Sequence, residues 1–273
     1  MIVHSLFHRT ELNLSRFESE VLDRGEYTVV RTPTHADYYW GNYIMFSAAP
    51  RQGDLARWSS VYREEFPYYD KITHMAFAWD LAVPDQGETG EFEGAGVTVD
   101  ESLSLYATTV TPPPKRNDQV QIRPLASEEE FGQSIELHLL TSGEGFAPSA
   151  YREFTRRRLA VYRGMVQAGM GNWFGAFLGD RLAGQLGLFH DGKTGLILDV
   201  ATHPEFARQG ICGTLVHAAS SLALRDYGLS TLAMEADPGY HAARIYESVG
   251  FEPGETSYSL EWSEGAAGPQ ITA

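Results

Sequence analysis

The amino-acid sequence predicts an α/β protein with a mixed α+β sheet, organised as two units in tandem. Three observations predict it. After residue 119, short apolar strands alternate with amphipathic helices. Near the middle, the run Thr111-Pro112-Pro113-Pro114-Lys115-Arg116-Asn117-Asp118 breaks the chain. Its prolines have no backbone N–H and suit an extended linker. Further on, an apolar strand runs into small residues that open a long helix. The expected organisation is a first domain over 1–111, a linker over 112–118, a second domain over 119–264 and a loose tail over 265–273.

In the second domain, Val120 to Arg123 reads as a strand ended by Pro124. Ser127 and Glu130 have capping-box spacing and open a helix to Leu140, which Gly143-Glu144-Gly145 breaks. Ser149 is expected to cap a second helix to Ala168. Trp173 to Leu178 and Leu182 to Phe189 flank Gly179-Asp180, the turn chemistry of a hairpin. After Asp191-Gly192 comes a strand from Gly195 to Ala201. A helix from Gly210 to Tyr227 carries Leu215, Val216, Ala219, Leu222 and Ala223 at helical spacing. A strand over Thr231 to Glu235, a helix over His241 to Val249 and a strand over Tyr258 to Trp262 complete the series. In the first domain the expected strands are Tyr27 to Arg31, Tyr43 to Ser47, Met75 to Asp80 and Leu103 to Thr109, with a helix over Asp54 to Glu65. Phe92-Glu93-Gly94-Ala95-Gly96-Val97 echoes Tyr246-Glu247-Ser248-Val249-Gly250-Phe251, which reads as an old duplication or as chance similarity between short words.

Composition narrows the function. With 36 Asp and Glu against 21 Lys and Arg, the formal charge is −15, so phosphate backbones and anionic lipid surfaces are repelled and a cationic small molecule is favoured. Neither a nucleic acid nor a membrane is an expected partner, and a cytoplasmic location is the default. Cys212 is the one cysteine, which excludes an internal disulfide and a multi-cysteine metal site. The first ten residues lack the apolar core of a signal peptide. His4 and His8 stand at i, i+4 with no third ligand in view, and no Gly-x-Ser-x-Gly nucleophile elbow occurs. Arg156, Arg157 and Arg158 read as a solvated helix face, with steering of an anionic ligand as the alternative. Tyr38, Tyr39 and Trp40 read as packing residues before cleft residues.

The chemistry concentrates in Asp199-Val200-Ala201-Thr202-His203-Pro204-Glu205-Phe206-Ala207-Arg208-Gln209-Gly210-Ile211-Cys212-Gly213-Thr214-Leu215. A helix's first turn presents unpaired N–H groups and the positive end of its dipole. Small residues at Gly210, Cys212 and Gly213 let an anion approach that backbone, so the segment can cradle a pyrophosphate. Taken alone, a turn that merely packs its helix on the sheet is the better reading.

The run is not alone. It resembles the signature of the GNAT superfamily of N-acetyltransferases, in which a strand and a Gln/Arg-x-x-Gly-x-Gly/Ala turn bind acetyl-CoA. Ala207 to Cys212 take the place of that turn, with Ala207 for Gln/Arg and Cys212 for the second small residue. Downstream, Gly239 to Phe251 resembles the family's Asn-x-x-Ala-x-x-Leu/Ile-Tyr-x-x-x-Gly-Phe: Ala242, Ile245, Tyr246, Gly250 and Phe251 match, and Gly239 replaces Asn. The resemblance covers about half the chain. It implies an acyl-CoA N-acyltransferase (GNAT-like) fold, with a degenerate first copy that lacks a phosphate turn.

What the resemblance implies about the site follows residue by residue. Val200, Ala201, Thr202, Arg208, Gln209, Gly210, Ile211, Cys212, Gly213, Thr214, Ala242 and Tyr246 would contact acetyl-CoA as co-substrate, with no metal. The splayed strand would polarise the thioester carbonyl through the Val200 N–H. Tyr246 would reprotonate the leaving thiolate; a packing tyrosine is nearly as good a reading. Glu235, Asp199 and His203 are candidate bases, Glu235 first because it ends the strand beside the expected splay. The implied reaction is direct acetyl transfer to a primary amine of a small molecule. A catalytically silent acyl-CoA-binding or sensory protein, a structural tandem scaffold, and a protein amine or longer acyl group stay open as alternatives, as does a homodimer.

Overall fold

The computed structural model describes residues 1–67, 73–141, 148–239 and 242–264. They divide into two compact units: Met1–Leu103 with the segment from Glu255 onward, and Ser104–Gly254. In chain order, the elements up to the proline run are α1 (Leu6–Ser15), β1 (Glu20–Asp23), β2 (Tyr27–Arg31), β3 (Tyr43–Phe46), α2 (Asp54–Glu65), β4 (His74–Trp79), α3 (Gly90–Gly94) and β5 (Thr98–Ala107). After it come β6 (Gln121–Pro124), α4 (Glu128–Thr141), α5 (Pro148–Gln167), β7 (Gly171–Leu178), β8 (Arg181–His190), β9 (Thr194–Thr202), α6 (Ile211–Asp226), β10 (Thr231–Ala236), α7 (Ala242–Glu247) and β11 (Glu252–Ser263).

The first unit orders its strands β1-β2-β3-β4-β11. Only β3 and β4 pair in parallel; the other pairs are antiparallel. One face buries Trp58 of α2 and Phe92 of α3 with Phe46, Phe77 and Trp79, the Phe46 and Trp58 rings stacking at 4.0 Å. The other face buries Leu12 of α1 with Val30, Tyr43, Met45, Ala76 and Ala78. Sequence reading leaves α1 out, because what holds it lies far away in the chain. The buried Asp80 carboxylate accepts from the His4 amide, from the Ser5 amide at 3.0 Å and from His8 Nδ1 at 3.0 Å. Ser5 caps the helix by accepting from the His8 amide. His8 therefore has a structural partner.

The second unit orders its strands β10-β9-β8-β7-β6, and β5 neighbours β10. From β6 to β9 the pairing is antiparallel, and β9 and β10 run parallel. On one face, Ile211, Leu215, Val216, Ala219 and Ala223 of α6 pack on Leu186, Ile197 and Met234. Full burial of the isoleucine, leucine, valine or methionine side chains contributes about 1.5–3 kcal/mol each. On the other, Tyr162 of α5 stacks on Phe189 at 5.2 Å and meets Trp173 at 4.9 Å. The expected capping box is present: the Glu130 amide donates to Ser127 Oγ and the Ser127 amide to Glu130, both at 3.2 Å. Ser149 lies within α5, which begins at Pro148, so it is not that helix's cap. The expected glycine break at 143–145, the start of α7 at His241 and the tail from Gly265 lie outside the described residues.

Two features depart from the sequence reading. The division falls inside β5 and β11, and the proline run belongs to the second unit. There the Thr111 amide donates to the Val249 carbonyl at 2.9 Å and the Asn117 amide to Thr214 Oγ1 at 2.9 Å. Prolines cannot join a ladder, but an extended proline segment can lie along a helix end. The strand Tyr258–Trp262, expected in the second domain, pairs with β4 and buries Leu260 among Val29, Ile44 and Phe77. An alternating strand carries no mark of which sheet receives it.

The echo noted in the sequence has the same local structure in both copies. The Val97 amide donates to Phe92 O at 3.0 Å and Gly96 to Glu93 O at 3.0 Å; Phe251 donates to Tyr246 O at 3.2 Å and Gly250 to Glu247 O at 2.9 Å. Both are Schellman caps, with Gly96 at φ 78° and Gly250 at φ 107°.

For Asp80, burial alone would raise the carboxyl's pKa, but the hydrogen bonds from His8, His4 and Ser5 and the His8 charge together bring it below the usual value. Its stabilisation is therefore full above the unfolded pKa of about 3.9 and lost as pH falls through the lower folded pKa. Asp80→Asn is expected to cost about 3 kcal/mol in urea denaturation at pH 7. The gap to wild type should close on acidification below pH ~4; a gap that persists unchanged at pH 2 contradicts the carboxylate's role.

Candidate active site

β9 changes partners along its length. Its parallel pairing with β10 covers Thr194–Leu196 against Thr231–Ala233 and goes no further. Its pairing with β8 continues to Thr202, but through a bulge: Leu198 opposes Gly187 and Ala201 opposes Gln185, so Asp199 and Val200 together face one residue, Leu186. Asp199, at the first position of the bulge, takes the left-handed conformation, φ 50°, as the first residue of a G1-type bulge does. Asp tolerates it better than most residues.

Past this point opens a cleft of about 920 Å³, within the range of about 300–1,000 Å³ usual for small-molecule sites. Its walls are Asp199–Thr202 of β9, Ala207, Arg208 and Gly210–Gly213 of the turn, Ala242, Ile245 and Tyr246 of α7, Pro113–Lys115, and His138, Thr141 and Tyr151 of α4 and α5. Arg208, at φ 59°, and Asp199 are the non-glycine residues with left-handed backbone among the described residues, and both line this one cleft. Such strain, of order 1–3 kcal/mol per residue, concentrates at functional sites.

The turn is built for an anion. Gly210, at φ 80°, is the N-cap of α6 and supplies no side-chain acceptor to the helix's first amides. Alternating left- and right-handed residues point successive N–H groups into a concavity. Lys115, Arg208 and Arg244 line the cleft, and among the described residues none of them pairs with a carboxylate. Asp199 stands exposed at the bulge. The cleft is thus cationic at the α6 turn and carries a carboxylate at β9.

Of the expected contact residues, Val200, Ala201, Thr202, Arg208, Gly210, Ile211, Cys212, Gly213, Ala242 and Tyr246 line the cleft, as does Asp199. Three do not. The Gln209 carbonyl accepts from Asn117 Nδ2 at 3.1 Å, the Thr214 hydroxyl accepts from the Asn117 amide and donates to Gly210 O at 2.8 Å, and Glu235 is half-buried on β10. Nor does His203, whose Nδ1 accepts from the Glu205 amide at 3.3 Å. Arg156 pairs with Glu153, and Arg158 lies over Tyr162 at 5.1 Å. In the first unit, Tyr39 stacks on His74 at 4.2 Å and Trp40 meets Tyr43 edge-on at 5.6 Å. Burial pushes the Cys212 thiol up to about 11, so it stays protonated and inert at neutral pH.

Sequence reasoning missed His138 and Tyr151. Burial holds the His138 imidazole below its usual pKa, against the pull of the Asp199 carboxylate. Burial, then the Asp199 charge, raises the Tyr151 phenol. At neutral pH this leaves a neutral imidazole and a protonated phenol within the electrostatic reach of one carboxylate.

The fold is the acyl-CoA N-acyltransferase fold, in a tandem GNAT-like form. Residues 136–251 match the model of the acetyltransferase (GNAT) family, and the chain carries a domain of that family. Among solved structures, a functionally unknown conserved protein from Staphylococcus epidermidis has a TM-score of 0.75 at 13% identity, covering 91% of this chain and 95% of its own. A GCN5-related N-acetyltransferase from Kribbella flavida has a TM-score of 0.65 at 14% identity, covering 98% of each chain. A tandem GNAT protein from the clavulanic acid biosynthesis pathway has a TM-score of 0.53 at 15% identity, covering 91% of this chain and 84% of its own. At these identities the likeness is one of fold. No curated protein matches the chain. The family implies acyl-CoA-dependent acyl transfer, and no helix among the described residues is long and apolar enough to cross a membrane.

The bulge makes a stability prediction. Asp199→Gly and Asp199→Asn should lie within about 1 kcal/mol of wild type, since both residues accept a left-handed backbone. Asp199→Val should cost about 2 kcal/mol or more. Equal urea midpoints for the valine and glycine variants would contradict a left-handed residue here.

Proposed function

We propose that the second unit's cleft takes acetyl-CoA and transfers its acetyl group directly to a primary amine of a cationic small molecule. The observation that carries this reading is the convergence on one cleft of two left-handed non-glycine residues, one at a strand bulge and one at an uncapped helix start. The residues fit the ligand. The amides of the α6 first turn suit a pyrophosphate, as do Arg208, Arg244 and the helix dipole, whose contribution to an exposed anion is ~0.3–1 kcal/mol. Ile211, Cys212, Gly213, Ala242 and Ile245 offer a small, apolar wall to the pantetheine arm. The Val200 N–H, in the bulge and away from regular pairing, suits the thioester carbonyl.

The acceptor must lose a proton before attack and the thiolate must gain one afterwards. Asp199 attracts an ammonium to the bulge, and the neutral His138 beside it accepts the proton. Glu235 and His203 are poorer bases for this reaction, because neither lines the cleft. As the amine nitrogen bonds to the thioester carbon, the C–S bond breaks and Tyr246, in the α7 wall, returns a proton to sulfur. A catalytically silent acyl-CoA-binding protein has one observation in its favour, the alanine at position 207 where the family motif carries Gln or Arg.

Isothermal titration is expected to give saturable acetyl-CoA binding by wild type and by Asp199→Asn alike, with thiol release to a panel of amines falling about 100-fold or more in the variant. Binding without thiol release from any amine favours the silent reading. Absence of binding at millimolar acetyl-CoA overturns both.

A further inference from the structure

The segment that reads as a linker does more than connect. Pro113, Pro114 and Lys115 form part of the cleft wall. The strap is fastened on both sides of Lys115, by the Thr111 amide on Val249 O at 2.9 Å and by Asn117, which donates its amide to Thr214 Oγ1 at 2.9 Å and its Nδ2 to Gln209 O at 3.1 Å. Between these anchors the prolines fix φ, so Lys115 reaches its position with little remaining freedom.

Its Nζ donates to the Arg208 carbonyl at 2.5 Å, the residue next to Ala207. A Cβ at Gly210 would come within 2.6 Å of the Lys115 carbonyl, and one at Gly213 within 3.0 Å of Pro113 Cβ. The glycines of the turn therefore seat the strap. An ammonium has three donors, of which Arg208 takes one. In a chain with 36 acidic residues against 21 Lys and Arg, a cation without a carboxylate partner beside uncapped amides has an unmet electrostatic demand.

We propose that Lys115 is a phosphate ligand of the bound acyl-CoA, supplying from the strap the polar side chain that Ala207 lacks. This rests on the cleft being the acyl-CoA site. The prolines then act as a preorganising brace, and the cost of ordering a lysine is met during folding.

The test compares CoA with pantetheine, which has the same arm without phosphates, on wild type, Lys115→Gln and Lys115→Arg. CoA is titrated calorimetrically and pantetheine by NMR. Lys115→Gln is expected to raise the Kd for CoA by about tenfold or more, as loss of a charge-assisted hydrogen bond does. Pantetheine binding should not change, and Lys115→Arg should restore most of the CoA affinity. Unaltered CoA affinity in Lys115→Gln overturns the proposal. Equal weakening of CoA and pantetheine also overturns it, because that is the mark of a strap that only packs. If wild type binds no CoA, the acyl-CoA reading of the cleft itself fails.

Discussion

The second unit depends on one backbone residue, Asp199. An internal strand is normally paired along both edges, since unpaired backbone groups away from water are costly. The bulge at Asp199 and Val200 lets β9 keep β8 while its pairing with β10 ends at Leu196. The strand thereby acquires an interior edge that faces a cleft instead of a neighbour. A left-handed aspartate costs the fold some stability, and only a structure held on all sides retains it. Here the support comes from α6, whose apolar stripe is fully buried against the sheet.

The same cleft shows how charge is distributed against the trend of the chain. The protein is strongly acidic, yet the turn at α6 gathers Lys115, Arg208 and Arg244 without carboxylate partners among the described residues. Many basic side chains elsewhere pair with a carboxylate, as Arg181 does with Glu205 and Arg116 with Asp118. A field of opposite sign confined to one recess favours an anion there while the rest of the surface discourages polyanions. At the other end, Asp199, His138 and Tyr151 form a group whose proton affinities are set by burial and by one another.

Much of this was legible in the sequence. The helix over Asp54–Glu65 and the strand over Tyr27–Arg31 have the expected bounds, and the strand–turn–helix around Gly210 was visible from apolar periodicity and small residues. What was hidden is what tertiary packing creates. The anchor of α1 is an aspartate 75 positions from the serine it binds. His138 is one residue on a helix whose face meets the cleft only after folding, so it has no local pattern. Glu235 is one step from the strand's end at Ala236, and β10 adds no residue to the cleft's lining, which nearness in sequence does not reveal. The proline run was read as a boundary, yet it falls inside the second unit, because lack of backbone donors does not say what a segment lies against.

The most direct measurement is a crystal structure of the protein with acetyl-CoA. The pyrophosphate should accept from the first-turn amides of α6 at about 2.9 Å, and the thioester carbonyl should accept from the Val200 N–H. Ligand density elsewhere, or a cleft in which protein groups already cap both the α6 turn and the Val200 amide, would contradict the assignment of this cleft as the acyl-CoA site.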